Sequence, residues 1–182
     1  MPTIFTHPAV AAALAPWFPR TCDRVAVVAC GIACTIVPDL DVAGFRFGIP
    51  YGSPFGHRGF THSLLFAALV AVPLAALLTR RAPRRAAFAT FAYLFLCGAS
   101  HGLLDAATNG GLGIALFAPF DPARYFLPWR PIVVSPIGAS GFFTERGWVT
   151  IVSELRWVVL PAAVVFAAGW LLRAKRKAQD RG

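Results

Sequence analysis

The chain has too few charged side chains to cover a water-soluble domain of its size. Of its 182 residues, 14% are Asp, Glu, Lys or Arg, whereas 57% are hydrophobic. A soluble domain usually carries about 25% charged residues, because its surface faces water. The deficit excludes an ordinary soluble protein and predicts that lipid covers part of the surface. The length suits one domain rather than two.

Acidic, thiol and imidazole side chains are also scarce. The sequence contains eight Asp and Glu, four Cys and four His. The cysteines lie in or beside apolar stretches and show no C-x-x-C spacing. Small buried hydrophobic groups are the usual role of such cysteines, so we expect neither a disulfide nor a thiolate metal site.

Basic residues outnumber acidic ones, and the net charge is +9. In a soluble protein this excess would suggest nucleic acid as a partner. Here the positive charges border apolar segments, at 20–24, at 80–85 and after residue 172. That arrangement is typical of cytoplasmic loops in membrane proteins. We therefore expect membrane lipids, and not nucleic acid, as partners, and the sequence leaves the oligomeric state open.

Five apolar segments indicate the fold. They cover residues 4–18, 25–37, 64–79, 86–107 and 149–172. A full membrane span needs roughly 20 residues, so the first two are short and form either thin spans or a re-entrant pair. The sequence predicts an all-α integral membrane bundle of about five helices, two short and three longer. We expect one domain over 1–172 and a basic cytoplasmic tail over 173–182.

The basic turns also predict the orientation. With 20–24, 80–85 and the tail in the cytoplasm, the N-terminus lies outside. The long loops 38–63 and 108–148 then lie outside too. Both are rich in Gly, Pro and aromatic residues. We expect them to form ordered caps over the helix ends at one face.

The rare metal-ligating residues fall at this outer face. They are His7, Asp39, Asp41, His57, His62, His101 and Asp105. His101 and Asp105 are four residues apart on a predicted helix, so their side chains lie on one side and can bind one ion. An extended backbone over 38–41 would also point its two carboxylates to one side. A single His in an apolar helix is more often structural, but seven such residues together favour a metal site. Ligands without thiolates suit zinc, manganese or iron.

Further residues at this face have candidate roles in a reaction. Asp41 or His57, whichever is not a ligand, would act as general base or orient a ligand. Arg58 and Arg130 are candidates for binding a substrate phosphate. For Arg130, contact with anionic lipid head groups is an equally good interpretation.

Several motifs occur in a fixed order. They are Thr6-His7, Pro38-Asp39-Leu40-Asp41, His57-Arg58-Gly59-Phe60-Thr61-His62-Ser63, His101-x3-Asp105-x2-Thr108-Asn109-x-Gly111 and Pro119-Phe120. With this order, residues 6 to about 137 resemble the YdjM family. The resemblance implies a metal-dependent hydrolase of the bacterial inner membrane, in some members under LexA control. That family is distantly similar to zinc-dependent phospholipase C and related nucleases.

The resemblance implies a ligand set and a substrate. The metal ligands would be His7, Asp39, His62, His101 and Asp105, with Asn109 among the substrate-binding residues. The chain lacks the N-terminal Trp and the second His-x3-Asp/Glu helix of the soluble enzymes, so one or two ions are expected, most simply zinc. The expected activity is hydrolysis of a phosphoester in a phospholipid or lipid-linked substrate at the periplasmic face.

A different class of function remains open. The chain could be a non-catalytic transport or membrane-remodelling protein with a structural metal site. A transporter carries polar groups near the midplane of several helices. The third and fourth apolar segments are almost wholly apolar between their ends, which disfavours transport.

Overall fold

A computed structural model of the chain describes residues 2–18, 23–135 and 143–179. Its α-helices are α1 (His7–Leu14), α2 (Arg24–Ile36), α3 (Leu64–Thr79), α4 (Arg84–Ala106), α5 (Glu145–Glu154) and α6 (Leu160–Gln179). Three 3₁₀ segments cover Ala15–Trp17, Val37–Phe47 and Phe60–His62, and a π-helical turn at Leu155–Val159 joins α5 to α6.

The prediction of an all-α membrane bundle is confirmed. The described residues contain two isolated β-bridges and no strand. The described residues form five helices when α5, the π-helical turn and α6 are counted as one continuous helix. Among the residues that the structure describes, three helices are long and apolar enough to cross a membrane, namely Arg24–Phe47, Arg84–Ala106 and Glu145–Gln179.

The short helices are not both where the sequence places them. The second apolar segment was expected to be short, but the 3₁₀ segment continues α2 to give a rod of 24 residues. By contrast, α3 has 16 residues. The eight residues of α1 and the three of the following turn reach only about 16 Å, roughly half of the hydrocarbon thickness. Thus α1 and α3 are the short helices.

The central helix is α4, which packs against α1, α2 and α3. Small residues allow this close packing, as is common between membrane helices. Gly31 on α2 lies against the ring of Tyr93, where an added Cβ would come within 2.6 Å of the ring. Tyr93 is buried, and its hydroxyl donates a hydrogen bond of 2.9 Å to the Ala11 carbonyl on α1.

The N-terminal segment is attached to α5. Glu154 is buried at 1% exposure, and its carboxylate accepts hydrogen bonds from the Thr3 amide at 2.5 Å and the Thr3 hydroxyl at 2.6 Å. These bonds fix the chain four residues before His7. The start of α1 is thereby placed against the end of α4.

The long loops bind each other and the helix ends. Leu64 at the start of α3 donates from its amide to the Leu116 carbonyl, and Ala115 donates to the Arg58 carbonyl, both at 3.0 Å. Leu127 donates to the Ala106 carbonyl at the end of α4. Within 38–63 and 108–135, these loops form the expected cap, whereas 136–142 lie outside the described residues. The domain boundary at residue 172 stays a prediction, and α6 runs past it to Gln179.

Candidate metal centre

Four of the predicted ligands meet at one point. Candidate ligand atoms of Asp39, His62, His101 and Asp105 all lie within 4.8 Å of one another, and all four residues are buried. His101 Nε2 is 3.3 Å and His62 Nε2 is 3.5 Å from Asp39 Oδ1, and His62 Nε2 is 3.7 Å from Asp105 Oδ2. Zinc ligands at about 2.0–2.1 Å in a tetrahedral site lie about 3.3 Å apart. The observed separations therefore suit a single ion.

The atoms that face one another at this point lack hydrogen bonds. Among the described residues, ten buried side-chain N and O atoms have no hydrogen-bond partner, and eight of them belong to the five predicted ligands. These eight are both ring nitrogens of His7, both carboxylate oxygens of Asp39 and of Asp105, and the Nε2 atoms of His62 and His101. Each such atom costs about 1–3 kcal/mol when nothing binds it. Their concentration at one point is what a metal site requires.

His101 and Asp105 come from the last turns of α4. The Nδ1 atom of His101 lies 2.8 Å from the Thr35 carbonyl, and this acceptor places the ring proton on Nδ1. Nε2 is then left with its lone pair facing Asp39, which is the form that binds a metal. Gly102 allows α4 to approach closely, since an added Cβ would lie 2.7 Å from the His62 carbonyl.

Asp41 orients His62 from the opposite edge of the ring. Asp41 Oδ2 lies 3.2 Å from His62 Nδ1 and accepts a hydrogen bond of 2.6 Å from Thr61, while Oδ1 is 2.7 Å from His57 Nδ1. A carboxylate at Nδ1 keeps the proton there and leaves Nε2 free for a metal. Of the two roles that the sequence leaves open for Asp41, this geometry supports orientation of a ligand.

The backbone at 38–41 is not extended, so the condition under which Asp39 and Asp41 would point to one side is not met. Val37–Phe47 is a 3₁₀ segment that has Pro38 in its first turn. Successive residues of a 3₁₀ helix are about 120° apart, so side chains two positions apart point in different directions. Asp39 therefore faces Nε2 of His62, and Asp41 faces Nδ1. The sequence pattern could not distinguish these two carboxylates without the backbone conformation.

A second group of possible ligands is less suited to an ion. Asp41, His57 and His62 also offer atoms within 4.8 Å of one another. However, the two Nδ1 atoms already contact Asp41 as hydrogen-bond partners. The atoms of the first cluster have no such partners. The first cluster is therefore the better metal site, and this group supports it.

His7 lies at the edge of the cluster. Its Nε2 is 3.7 Å from Asp105 Oδ1, and its ring stacks on His101 with centroids 4.0 Å apart. Burial, with the neighbouring His101, lowers the pKa of His7 to about 3. His7 is thus neutral at physiological pH, as a metal ligand must be. It is placed to complete the shell of one ion or to bind a second one.

The pocket favours positive charge. Burial alone would lower the pKa of His62, but the carboxylates of Asp39 and Asp41 outweigh burial and raise it to about 9, so a metal that binds Nε2 displaces a proton from the imidazole. The carboxylates of Asp39, Asp41 and Asp105 carry three negative charges, and the Arg58 guanidinium beside Asp105 balances one of them, so two negative charges remain for a divalent cation. Buried charges of one sign are stable only when paired or bound to metal.

Arg58 is held in place beside Asp105. It is fully buried, and its Nε lies 3.2 Å from Asp105 Oδ2. The guanidinium donates to Thr108 Oγ1 at 3.0 Å and to the Gly110 carbonyl at 2.8 Å. Its backbone is left-handed, with φ of 65°, a conformation that a non-glycine residue adopts only when its surroundings enforce it. These contacts indicate that Arg58 orients Asp105, and phosphate binding by Arg58 stays a prediction that its burial does not support.

The other predicted substrate contacts lie on the exposed loop. Asn109 is exposed, and its side-chain oxygen accepts a hydrogen bond of 3.0 Å from the Val134 amide. Arg130 is also exposed, and its guanidinium lies 4.8 Å from the ring centre of Phe126. Both side chains have protein partners. Their roles toward a substrate stay predictions.

Several supporting residues were not found by sequence reasoning. Thr35 acts through its backbone carbonyl, which carries no sequence signal. Thr61 and Thr108 both lie in the recognised motifs, but a hydroxyl partner for Asp41 or Arg58 is visible only in three dimensions. Glu154, whose carboxylate accepts two hydrogen bonds from Thr3, carries no signal in the sequence for that contact.

Comparison with known proteins agrees with the motifs. Residues 1–178 match the family described as YdjM inner membrane protein. The chain belongs to the YdjM family. It is 38% identical over 173 residues to the inner membrane protein YbcI of Escherichia coli (strain K12), covering 95% of this chain and 99% of that protein. No solved structure matches it significantly.

Membership of the YdjM family confirms the resemblance seen in the sequence. It places the chain among inner-membrane proteins, in agreement with the three helices that can span a membrane. The family and relative are named for their location and not for a reaction. The chemistry therefore has to be argued from the site.

Loss of one cluster carboxylate should remove the metal. Asp105→Asn keeps the shape of the side chain but removes a charge that balances the ion, and His101→Ala removes a ligand atom. We expect either variant, purified in detergent, to lose most of its bound metal by elemental analysis. Asp121→Asn is the matched control, because Asp121 binds Tyr125 and the Ala123 amide on the loop, away from the cluster. Equal metal content in Asp105→Asn and wild type would exclude the site.

Proposed function

We propose that this YdjM-family protein is a membrane-bound, metal-dependent hydrolase that cleaves a phosphoester in a phospholipid or lipid-linked substrate. The observation that carries the proposal is the set of eight unpartnered ligand atoms at one end of the bundle. One or two divalent ions are expected there, most simply zinc, with manganese or iron as alternatives. The five ligands come from four separate chain segments, so they come together only when the protein folds.

The chain's own residues suit hydrolysis. A divalent ion held at the cluster would polarise a phosphoryl oxygen and lower the pKa of a water molecule towards neutrality. Asp41 keeps the proton of His57 on Nδ1, at 2.7 Å, so that Nε2 of His57 is the basic nitrogen. A neutral imidazole oriented by a carboxylate is a common proton acceptor in hydrolases. We assign that role to His57.

Exposed aromatic side chains support a substrate in the membrane. They lie on the segments that cap the site and include Phe47 at 83%, Phe55 at 69%, Phe120 at 84% and Trp129 at 65% exposure. Exposed aromatic residues at helix ends are typical of the membrane interface. Arg130 and Asn109, on the same loop, are the proposed contacts for a lipid phosphate or head group.

The burial of the cluster favours a second candidate function. Asp39, at 5% exposure, is the most exposed of the five predicted ligands. Structural metal sites are closed by protein ligands, whereas catalytic sites keep a position for water or substrate. The alternative is therefore a non-catalytic membrane protein, in transport or membrane remodelling, whose metal stabilises the fold.

The orientation belongs to the proposal as well. With the 80–85 turn and the C-terminal end of α6 in the cytoplasm, the metal centre lies at the periplasmic face. In a background with all cysteines replaced by alanine, Phe120→Cys should react with an impermeant thiol reagent added to intact cells. Lys177→Cys should react only after the membrane is opened. The reverse pattern would overturn the orientation and leave the metal centre untouched.

Metal removal should separate catalysis from stability. If the site is hydrolytic, a chelator should abolish cleavage of a phospholipid or phosphodiester, while circular dichroism still shows folded helices. His57→Gln should keep the metal, because His57 is not in the cluster, yet lower kcat by about 10²–10⁴-fold as expected for loss of a general base.

The structural alternative gives the opposite results. Chelation would then melt the helices, and the intact, metal-loaded protein would cleave none of the phosphoesters offered. A His57→Gln variant with wild-type kcat would show that His57 is not the general base, but it would not contradict the hydrolase proposal. The metal content of Asp121→Asn, purified in parallel by the same procedure, controls for loss of metal during purification.

A further inference from the structure

A cavity lies at the opposite end of the helices from the metal centre. α1 runs away from the cluster at His7, and α2 runs toward it, so the end of α1 and the start of α2 lie at the far end. A cavity of about 510 Å³ opens there between Ala15–Trp17, the start of α2 and the end of α6. It is lined by Pro16, Arg24, Trp170, Arg173, Arg176 and Lys177, among others.

The cavity is lined mainly by basic residues. Four of its lining residues are Arg or Lys, and none is Asp or Glu. No ion pair within the described residues involves Arg24, Arg176 or Lys177. The nearby Asp23 caps α2, where its Oδ1 accepts hydrogen bonds from the amides of the first turn at 2.9 and 3.3 Å. The described chain therefore leaves an anion-attracting cavity.

The walls of the cavity are built by helix packing. Gly169 allows the turn after α1 to meet α6, since an added Cβ would lie 2.6 Å from Trp17 Nε1. Trp17 Nε1 donates a hydrogen bond of 3.0 Å to the Val165 carbonyl, and Arg173 donates to the Phe18 carbonyl. A smaller space of about 200 Å³ shares Pro16, Arg173 and Arg176 as lining residues.

The tryptophans place this cavity at the membrane surface. Trp17 and Trp170 are 48% and 59% exposed. Indole rings concentrate at the level of the lipid head groups, where one edge meets water and the other meets acyl chains. A basic pocket between membrane helices at this level is suited to anionic lipid head groups.

We propose that this cavity binds the head group of an anionic phospholipid, with Arg24, Arg176 and Lys177 contacting the phosphate. The site is separate from the metal centre and does not depend on hydrolase activity. Free phosphate shares the same chemistry, but the half-exposed indoles beside the charges favour an occupant with acyl chains. The lipid would connect the end of α6 to the start of α2.

Native mass spectrometry of the full-length protein in detergent tests the proposal. Short-chain phosphatidylglycerol is titrated beside phosphatidylcholine and inorganic phosphate. We expect saturable binding of phosphatidylglycerol, tighter than that of the other two. Arg24→Gln with Arg176→Gln should weaken it about fivefold for each charge removed. Unchanged helicity and metal content verify that the double variant is folded.

The matched control is Arg80→Gln with Arg81→Gln. These two exposed residues follow α3 at the same end of the bundle, so the control removes the same charge without altering the cavity. Equal losses in both double variants would mean general attraction by the basic surface and would overturn the proposal. So would phosphate or phosphatidylcholine binding as tightly as phosphatidylglycerol. If the double variant Arg24→Gln with Arg176→Gln does not fold, the single variant Lys177→Gln is tested instead. Its loss of lipid binding is then compared with that of Arg80→Gln, which also removes one charge.

Discussion

Two buried carboxylates and three buried imidazoles meet at one end of this bundle, and their facing atoms have no hydrogen-bond partners. The rest of the fold depends on that constraint. Unpaired polar atoms cost more in a membrane protein, where water is scarce, than on a soluble surface. A bound divalent cation removes this cost, because it accepts the nitrogen lone pairs and balances the net negative charge of the cluster.

The ligands come from four segments of the chain, and neighbouring residues hold three of them in orientation. Thr35 sets the tautomer of His101, Asp41 sets that of His62, and Arg58 orients Asp105. The capping loops then bind one another across the site. Such support is typical of metal sites, whose function suffers when the surrounding residues change. At the other end, described basic and aromatic residues such as Arg24, Arg176 and Trp170 line a cavity between the helices.

Much of this was predictable from sequence, because a membrane protein uses polar residues sparingly. The i, i+4 spacing of His101 and Asp105 fixed their common direction as soon as the segment was helical. The partners of Asp39 and Asp41 depended on a 3₁₀ turn that propensities do not reveal. Arg58 looked like a phosphate ligand because its charge is evident in sequence, whereas its burial against Asp105 comes from long-range packing. Local sequence patterns therefore predicted which residues form the cluster, whereas the partner of each side chain depends on tertiary contacts.

X-ray absorption spectroscopy of the metal in the purified protein tests the central claim most directly. The account predicts nitrogen and oxygen neighbours at about 2.0–2.1 Å, with the outer-shell scattering of imidazole rings. Sulfur neighbours at about 2.3 Å would contradict it, because they would place the ion on thiols such as Cys34 and Cys97, which are free and buried. A spectrum of an ion surrounded by water alone would contradict it equally.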